Sequence, residues 1–316
     1  MFEAASIGDI QSARRRLGGI ALRTPAVECD AAPAGKQLHL KLENLQPIGS
    51  FKLRPIGNAV LSRPAPSLAA GIHTASSGNS ALAVAWMARR VGTIATAVVP
   101  DNAPKNKLEL LRKLNARIVK LPFEQWWQSI ASGSYPGIDG LYIDAVRDPA
   151  ALAGNGTAGV EILEDLAQLD AIFVPFGGGG LACGIASAVR ILRPSVKIIA
   201  CELETAHPLK SAIRAGHPVA GPYDAGFVTG VGFGSILPES WALAKEMIDG
   251  VMTVSLQEVA GAIKIMAERN KVIAEGAGAI PVAAALSGRY DYERVCAVVS
   301  GGNIDKDVLI KILGHA

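Results

Sequence analysis

Apolar and polar positions along this chain fall into short blocks, and the blocks switch period as the sequence proceeds. LHLKLE (38–43) repeats every second residue, the period of a strand with one buried face. TIATAVVP (93–100), ARIVKL (116–121), AIFVPF (171–176), VKIIACEL (196–203) and RVCAVVS (294–300) are short, mostly apolar runs. Runs of that length predict strands, several of them buried on both faces. Between them lie longer segments with helical character: SALAVAWMARRVG (80–92), APKNKLELLRKLN (103–115), NGTAGVEILEDL (155–166), LACGIASAVRIL (181–192) and SLQEVAGAIKIMAERN (255–270). Asp9 is the expected cap of a first helix through IQSARRRL (10–17). The basic residues of 103–115 are expected on its exposed face. Strands alternating with helices at this spacing predict an α/β fold of parallel sheets covered by helices on both faces.

Composition narrows this further. The 316 residues are 50% hydrophobic and 19% charged, enough for two domains or one large unit with a substantial core. The formal charge of +3 is spread without a like-charge block, so no nucleic-acid footprint is expected. The N-terminus lacks the apolar stretch of a signal peptide. The longest uncharged run, 171–189, contains Pro175 and four consecutive glycines, which predicts strand, loop and helix rather than a membrane span. Cys29, Cys183, Cys201 and Cys296 form no CxxC pair and are expected as buried free thiols of a cytoplasmic protein. His39, His73, His207, His217 and His315 are scattered, and are expected to be structural or surface groups, as are most remaining Lys and Arg.

Four loops carry candidate chemistry. VPFGGGGLACG (174–184) follows a strand and opens a helix, so its backbone N–H groups and the helix terminus suit a phosphate. A dinucleotide site is the alternative: Gly178, Gly180 and Gly184 give GxGxxxG, and Glu202 falls near the place of a ribose-binding acid. Ser76, Ser77, Gly78, Asn79 and Ser80 precede a helix and suit a carboxylate; helix capping would account for one of them. Ser300, Gly301, Gly302 and Asn303 end the last buried strand. Lys52 stands in GSFKLR (49–54). An amine, an anion cup, a carboxylate loop and a strand-end hydroxyl together point to pyridoxal phosphate, whose aldehyde, phosphate and ring nitrogen each need a partner.

With these motifs in hand, the sequence resembles the fold-type II pyridoxal-phosphate enzymes of the serine/threonine dehydratase and serine racemase family, whose fold is like the tryptophan synthase β subunit. The likeness runs nearly end to end, through KLENLQPIGSFKLR, SSGNSALAVAW, VVPDNAPKNKLELLRKLNARIV, PAALAGNGTAGVEIL, VPFGGGGL, EGAGA and SGGNID. It implies that Lys52 joins the cofactor aldehyde and that Phe51 lies beside the ring. It also implies that Asn79 bonds the ring 3′-oxygen and that Gly177, Gly178, Gly179, Gly180 and Leu181 wrap the phosphate. Ser300 would face the ring nitrogen, and Glu275 holds the family's acidic position near the ring. Ser76, Ser77, Gly78, Asn79 and Ser80 would grip the substrate carboxylate. It further implies a homodimer, a large cofactor-binding domain (1–43 plus 145–316) and a small mobile domain (44–144) that closes over a small amino-acid substrate.

Some positions depart from the family. Ser80 replaces a common His, and Val146 replaces a cofactor-contacting Asn of racemase-like members. Thr229-Gly230 replaces an acidic motif, and Pro208 stands where an acidic metal ligand often lies, leaving Glu202 as the candidate ligand of a divalent cation. Trp126 and Trp127 are unusual. The implied reaction is β-elimination of a β-hydroxy amino acid such as threonine or serine to a 2-oxo acid and ammonia, with 3-hydroxyaspartate or a bulkier substrate as alternatives. Ser77 keeps racemisation open, and a β-replacement synthase or a nicotinamide-dependent oxidoreductase are rival readings. The short tail after SGGNID leaves no room for a C-terminal regulatory domain.

Overall fold

The computed structural model describes residues 3–103, 105–133, 135, 137–231 and 234–314; Pro104 and His315, named above, lie outside these. In chain order the elements are α1 (Ile7–Arg16), β1 (Ala26–Glu28), β2 (Gln37–Lys41), α2 (Leu53–Leu61), β3 (Ile72–Ala75), α3 (Asn79–Val91), β4 (Ala95–Pro100), α4 (Lys105–Lys113), β5 (Arg117–Leu121), α5 (Phe123–Ser132) and β6 (Leu141–Tyr142). Then follow α6 (Pro149–Asp165), β7 (Ala171–Pro175), α7 (Gly180–Leu192), β8 (Lys197–Leu203), α8 (Pro208–Ala215), α9 (Pro238–Met247), β9 (Gly250–Val254), α10 (Leu256–Ile265), α11 (Gly276–Leu286), β10 (Arg294–Val298) and α12 (Lys306–Gly314).

The strands form two sheets, one of six in the order β1-β2-β10-β7-β8-β9 and one of four in the order β5-β4-β3-β6. Every pairing is parallel except β1 with β2, where the chain turns back on itself at one edge. The apolar runs form fully buried strands: all residues of β4 and β7 are out of solvent. Helices on both faces bury two large clusters against the longer sheet, one on the α1, α6, α7 side and one on the α10, α11 side.

Local signals explain most boundaries. Gly92 ends α3 in the left-handed conformation with φ 74°, which a residue without Cβ adopts freely. Ser255 and Glu258 form a capping box at the start of α10. The cap of α1 is Ser6, whose hydroxyl accepts the Asp9 N–H at 3.1 Å; Asp9 itself sits in the first turn, so the expected cap is three residues off. The alternation through 38–43 misleads in one respect. Its apolar positions are buried, but so are Lys41 and Glu43, because helices rather than water cover the second face. Lys107 likewise departs from the exposed face expected of its helix: it is half-buried, and burial lowers its amine against the pull of Glu275 and Asp305.

Candidate active site

β2, β10 and β7 are adjacent and parallel, so the loops that follow them emerge side by side at one edge of the sheet. The segment after β2 reaches Lys52, that after β10 carries Ser300 to Asn303, and that after β7 is the glycine run. Ligands of α/β folds gather at such strand ends. Ser76 to Ser80 follow β3 of the second sheet. The structure thus brings the sequence-predicted loops to one place.

Lys52 sits at the N-cap position of α2. The backbone before it is pinned to the strand-end loop: Phe51 N–H donates to the Ser300 carbonyl at 2.9 Å, and Ser50 bridges Gly301. The Lys52 ammonium lies 4.7 Å from the centroid of the Phe51 ring. The side chain is half-buried. Burial brings its amine from 10.5 down to about 8, against the opposing pull of the Asp144 and Glu275 carboxylates. At pH 7.5 about a quarter of such amines are neutral, against about one in a thousand for an ordinary lysine. In cofactor-free protein the rate at which Lys52 captures an aldehyde should therefore rise with pH and level off above about 8. Following the absorbance change on mixing with pyridoxal phosphate between pH 6 and 10 measures it; a midpoint near the ordinary lysine value would contradict the depressed amine.

The N-terminus of α3 is open. Its cap residue is Gly78, and no side chain caps the helix. Ser76 Oγ accepts the Gly78 N–H at 3.1 Å, a local turn. Capping therefore uses neither Ser77 nor Ser80, and both are half-buried beside the free helix N–H groups. Asn79, the first helical residue, is held on both sides: its Nδ2 donates to Glu275 Oε1 at 2.7 Å, and its Oδ1 accepts from Asn303 at 2.7 Å. Glu275 is buried, and burial pushes its carboxyl up to about 7 against the Asn79 hydrogen bond and the charges of Lys107 and Lys52. Gly301 leaves room for this carboxylate; a Cβ there would overlap Glu275 Oε1.

The glycine run turns sharply from β7 into α7. Gly179 takes φ +86° as the cap of α7, and Ser240 Oγ donates to the Gly178 carbonyl at 2.8 Å. A Cβ on Gly177 would stand 3.2 Å from the Gly230 carbonyl, and one on Gly180 3.1 Å from the Ala145 carbonyl. The backbone itself is thus the surface of the cradle, with the first N–H groups of α7 unpaired within the helix. Leu181 is buried behind it, and Val146 lies alongside Gly180. Ser300, two residues beyond β10, is buried at the neighbouring loop.

Three groups escaped the sequence reading. Lys107 donates to Thr229 Oγ1 at 3.2 Å, tying α4 to the loop that packs on Gly177. Asp144 is the largest opposing charge on Lys52, and Asn155 of α6 lies against Gly180 and Gly184. A lysine in an amphipathic helix and an amide among small residues give no pattern to find. Glu202 is elsewhere. Its two carboxylate oxygens accept the Leu209 and Lys210 N–H groups at 2.8 and 2.9 Å, closing the N-terminus of α8. No group of three metal-ligating side chains occurs among the described residues. Trp126 donates to the Val98 carbonyl and packs with Ala75, Val98 and Leu121 as core of the smaller sheet.

The model of the family described as pyridoxal-phosphate dependent enzyme matches residues 19–301. The chain belongs to this family. It is 32% identical to the L-threonine dehydratase catabolic TdcB of Escherichia coli over 98% of this chain and 96% of that one. It is also 32% identical to an L-threonine ammonia-lyase of Thermotoga maritima, over 98% of this chain and 78% of that one. Maize serine racemase superposes with a TM-score of 0.91 at 30% identity, covering 98% and 97% of the two chains.

The residues of this pyridoxal-phosphate enzyme fit its cofactor. Side chains at the cradle glycines would press on neighbouring backbone, and a depressed amine stands at the adjacent strand end. Beside Gly180, the Asn155 amide is buried with neither polar atom hydrogen-bonded, a sign that the loop completes its bonding with a further group. No helix among the described residues is long and apolar enough to cross a membrane.

Proposed function

We propose that this enzyme catalyses β-elimination of a β-hydroxy amino acid, threonine or serine, to a 2-oxo acid and ammonia. The observation that carries the reading is the Lys52 amine, drawn down to about 8 at the edge it shares with the glycine cradle and Ser300. Curated relatives named as threonine dehydratase and ammonia-lyase support it.

Pyridoxal phosphate supplies an electron-accepting ring bonded to the substrate nitrogen, which makes the Cα proton removable. In this reading the N–H groups of α3 and the Ser76–Ser80 hydroxyls hold the substrate carboxylate. Lys52, when neutral, would accept the Cα proton at Nζ. The C–O bond at Cβ would then break and the hydroxyl leave as water, taking up the proton held at Lys52 Nζ. Hydrolysis of the resulting enamine gives the 2-oxo acid and ammonia. Gly177–Leu181 would hold the phosphate through backbone N–H groups, and Asn79, itself held by Glu275 and Asn303, would orient the ring oxygen. A Ser300 hydroxyl facing the ring nitrogen would not keep a proton there as a carboxylate would, which would favour elimination over amino-group transfer. In this reading the 44–144 unit would close over the substrate; the Lys107–Thr229 hydrogen bond joins it to the 145–316 part of the chain. The protein is a homodimer of the cytoplasm in this reading.

Supplying L- and D-forms of serine, threonine and 3-hydroxyaspartate and measuring 2-oxo acid release tests the proposal; no release from any of them would overturn it. Racemisation is the second reading, favoured by the Ser77 hydroxyl that no cap occupies. Ser77→Ala is expected to abolish any interconversion of L- and D-serine, by about a hundredfold or more, while elimination from the L-form persists. Chiral chromatography distinguishes the two, and undiminished racemisation would remove Ser77 from that role.

A further inference from the structure

We propose that α6 is the spacer that sets the distance between the Lys52 amine and the phosphate cradle, and that the buried Lys41–Glu43–Arg54–Glu161 cluster locks Lys52 onto it. Arg54 and Glu161 are then positioning residues. The inference rests on Lys52 as the amine that meets the cofactor aldehyde.

α2 starts directly after Lys52, and Arg54 lies in its first turn. Arg54 Nε and Nη2 donate to the two oxygens of Glu43 at 2.7 and 2.8 Å. Its Nη1 and Nη2 donate to the two oxygens of Glu161 at 2.8 and 2.7 Å, and Nη1 also reaches Thr157 Oγ1 at 3.0 Å. Lys41 Nζ donates to Glu161 Oε2 at 2.8 Å and to the Thr24 carbonyl at 2.6 Å. Thr24 Oγ1 donates to Glu43 Oε1 at 2.5 Å. Two cations and two anions are thus buried together, with Asp165 Oδ2 3.7 Å from Lys41 Nζ at the margin. Burial alone would push the Glu43 carboxyl up; the Arg54 charge and hydrogen bonds, Thr24 and Lys41 outweigh it and hold the group below its usual range.

Thr157 and Glu161 lie one turn apart on α6, on the face turned to α2. Contact on that face is backbone to backbone, since a Cβ on Gly154 would overlap the Arg54 carbonyl. The same helix meets α7 with bare backbone: a Cβ on Gly156 would stand 3.2 Å from the Gly184 carbonyl, and one on Gly159 2.9 Å from the Ile185 carbonyl. α7 begins at Gly180, in the cradle. One helix therefore touches the first turn after Lys52 on one side and the first turns after the cradle on the other.

A buried ionic cluster of this kind adds little net stability over apolar residues of the same volume. What it adds is direction. Forked guanidinium–carboxylate bonds hold one orientation, whereas an apolar contact lets α2 slide along α6. A slide displaces Lys52 relative to the cradle and leaves the cradle itself intact.

The test compares two ligands of the cofactor-free protein. Pyridoxine 5′-phosphate carries an alcohol in place of the aldehyde and reads the cradle alone; pyridoxal phosphate reads the cradle and Lys52 together. Arg54→Met combined with Glu161→Met removes one cation and one anion, so the cluster's net charge is unchanged, with Lys41 still beside the Thr24 carbonyl and Asp165 and Glu43 still held by Thr24 and Gln46. In that variant pyridoxal phosphate should bind at least about tenfold more weakly, with pyridoxine 5′-phosphate unchanged within about twofold. A pyridoxal preference equal to that of the wild type, or a parallel loss of both ligands, would overturn the lock. Arg54→Lys keeps the charge but has no fork and is one atom shorter; should the double variant not fold, it carries the test. It is expected to lose at least about threefold of the preference, and full retention overturns the proposal. A wild-type protein that binds both ligands equally would instead sink the role given to Lys52.

Discussion

Replacing Lys52 by alanine is expected to reduce 2-oxo acid release by about ten-thousand-fold or more. A positioned general base contributes roughly a hundred- to ten-thousand-fold, and in the proposed mechanism the same substitution also removes the amine that would meet the cofactor aldehyde. Nothing among the described residues duplicates it: the nearby Lys107 sits on α4 and is engaged with Thr229. The glycine run joins β7 to α7 and the 76–80 loop leads into α3, so both should survive. Steady-state release of 2-oxo acid, with pyridoxine 5′-phosphate binding as the folding control, separates loss of chemistry from loss of structure. Activity above about one per cent in a variant that still binds the control ligand would remove Lys52 from the reaction.

Glu43→Ala should be the most damaging substitution for stability, at about 3–5 kcal/mol, because it leaves the Arg54 guanidinium buried beside a missing partner. The Arg14–Glu164 pair is the natural comparison. Its side chains are 45% and 39% exposed, and Glu164→Ala should cost no more than about 1 kcal/mol. Urea denaturation of both variants measures the difference. Equal losses would mean that water reaches the Arg54 cluster.

Much of the fold and site is legible in the sequence for a physical reason. Strands such as 171–176 and 294–300 are apolar because both faces are covered, and glycine or serine at their ends is where backbone must approach a ligand. α11 escaped that reading. GAGAIPVAAAL is apolar on every side and includes Pro281, so it has no polar face to give a helical period. α2 was obscured in the same way by Pro55 and Gly57, with nearly every residue buried. Lys41, Glu43 and Arg54 looked like solvated charge because a sequence shows a residue's polarity and not what packs over it. Their burial became visible only when α6 was placed across them.

The order of the strands bears on how copies of this chain can meet. Unpaired backbone at a sheet edge invites another strand to add to it. Here one edge of the larger sheet is β1, only three residues long, and one edge of the smaller sheet is β6, only two. The opposite edge of the smaller sheet, β5, carries Arg117 and Lys120. These three margins give an intruding strand little to zip onto; β9, five residues long, is the remaining edge and the one where sheet addition would have to start.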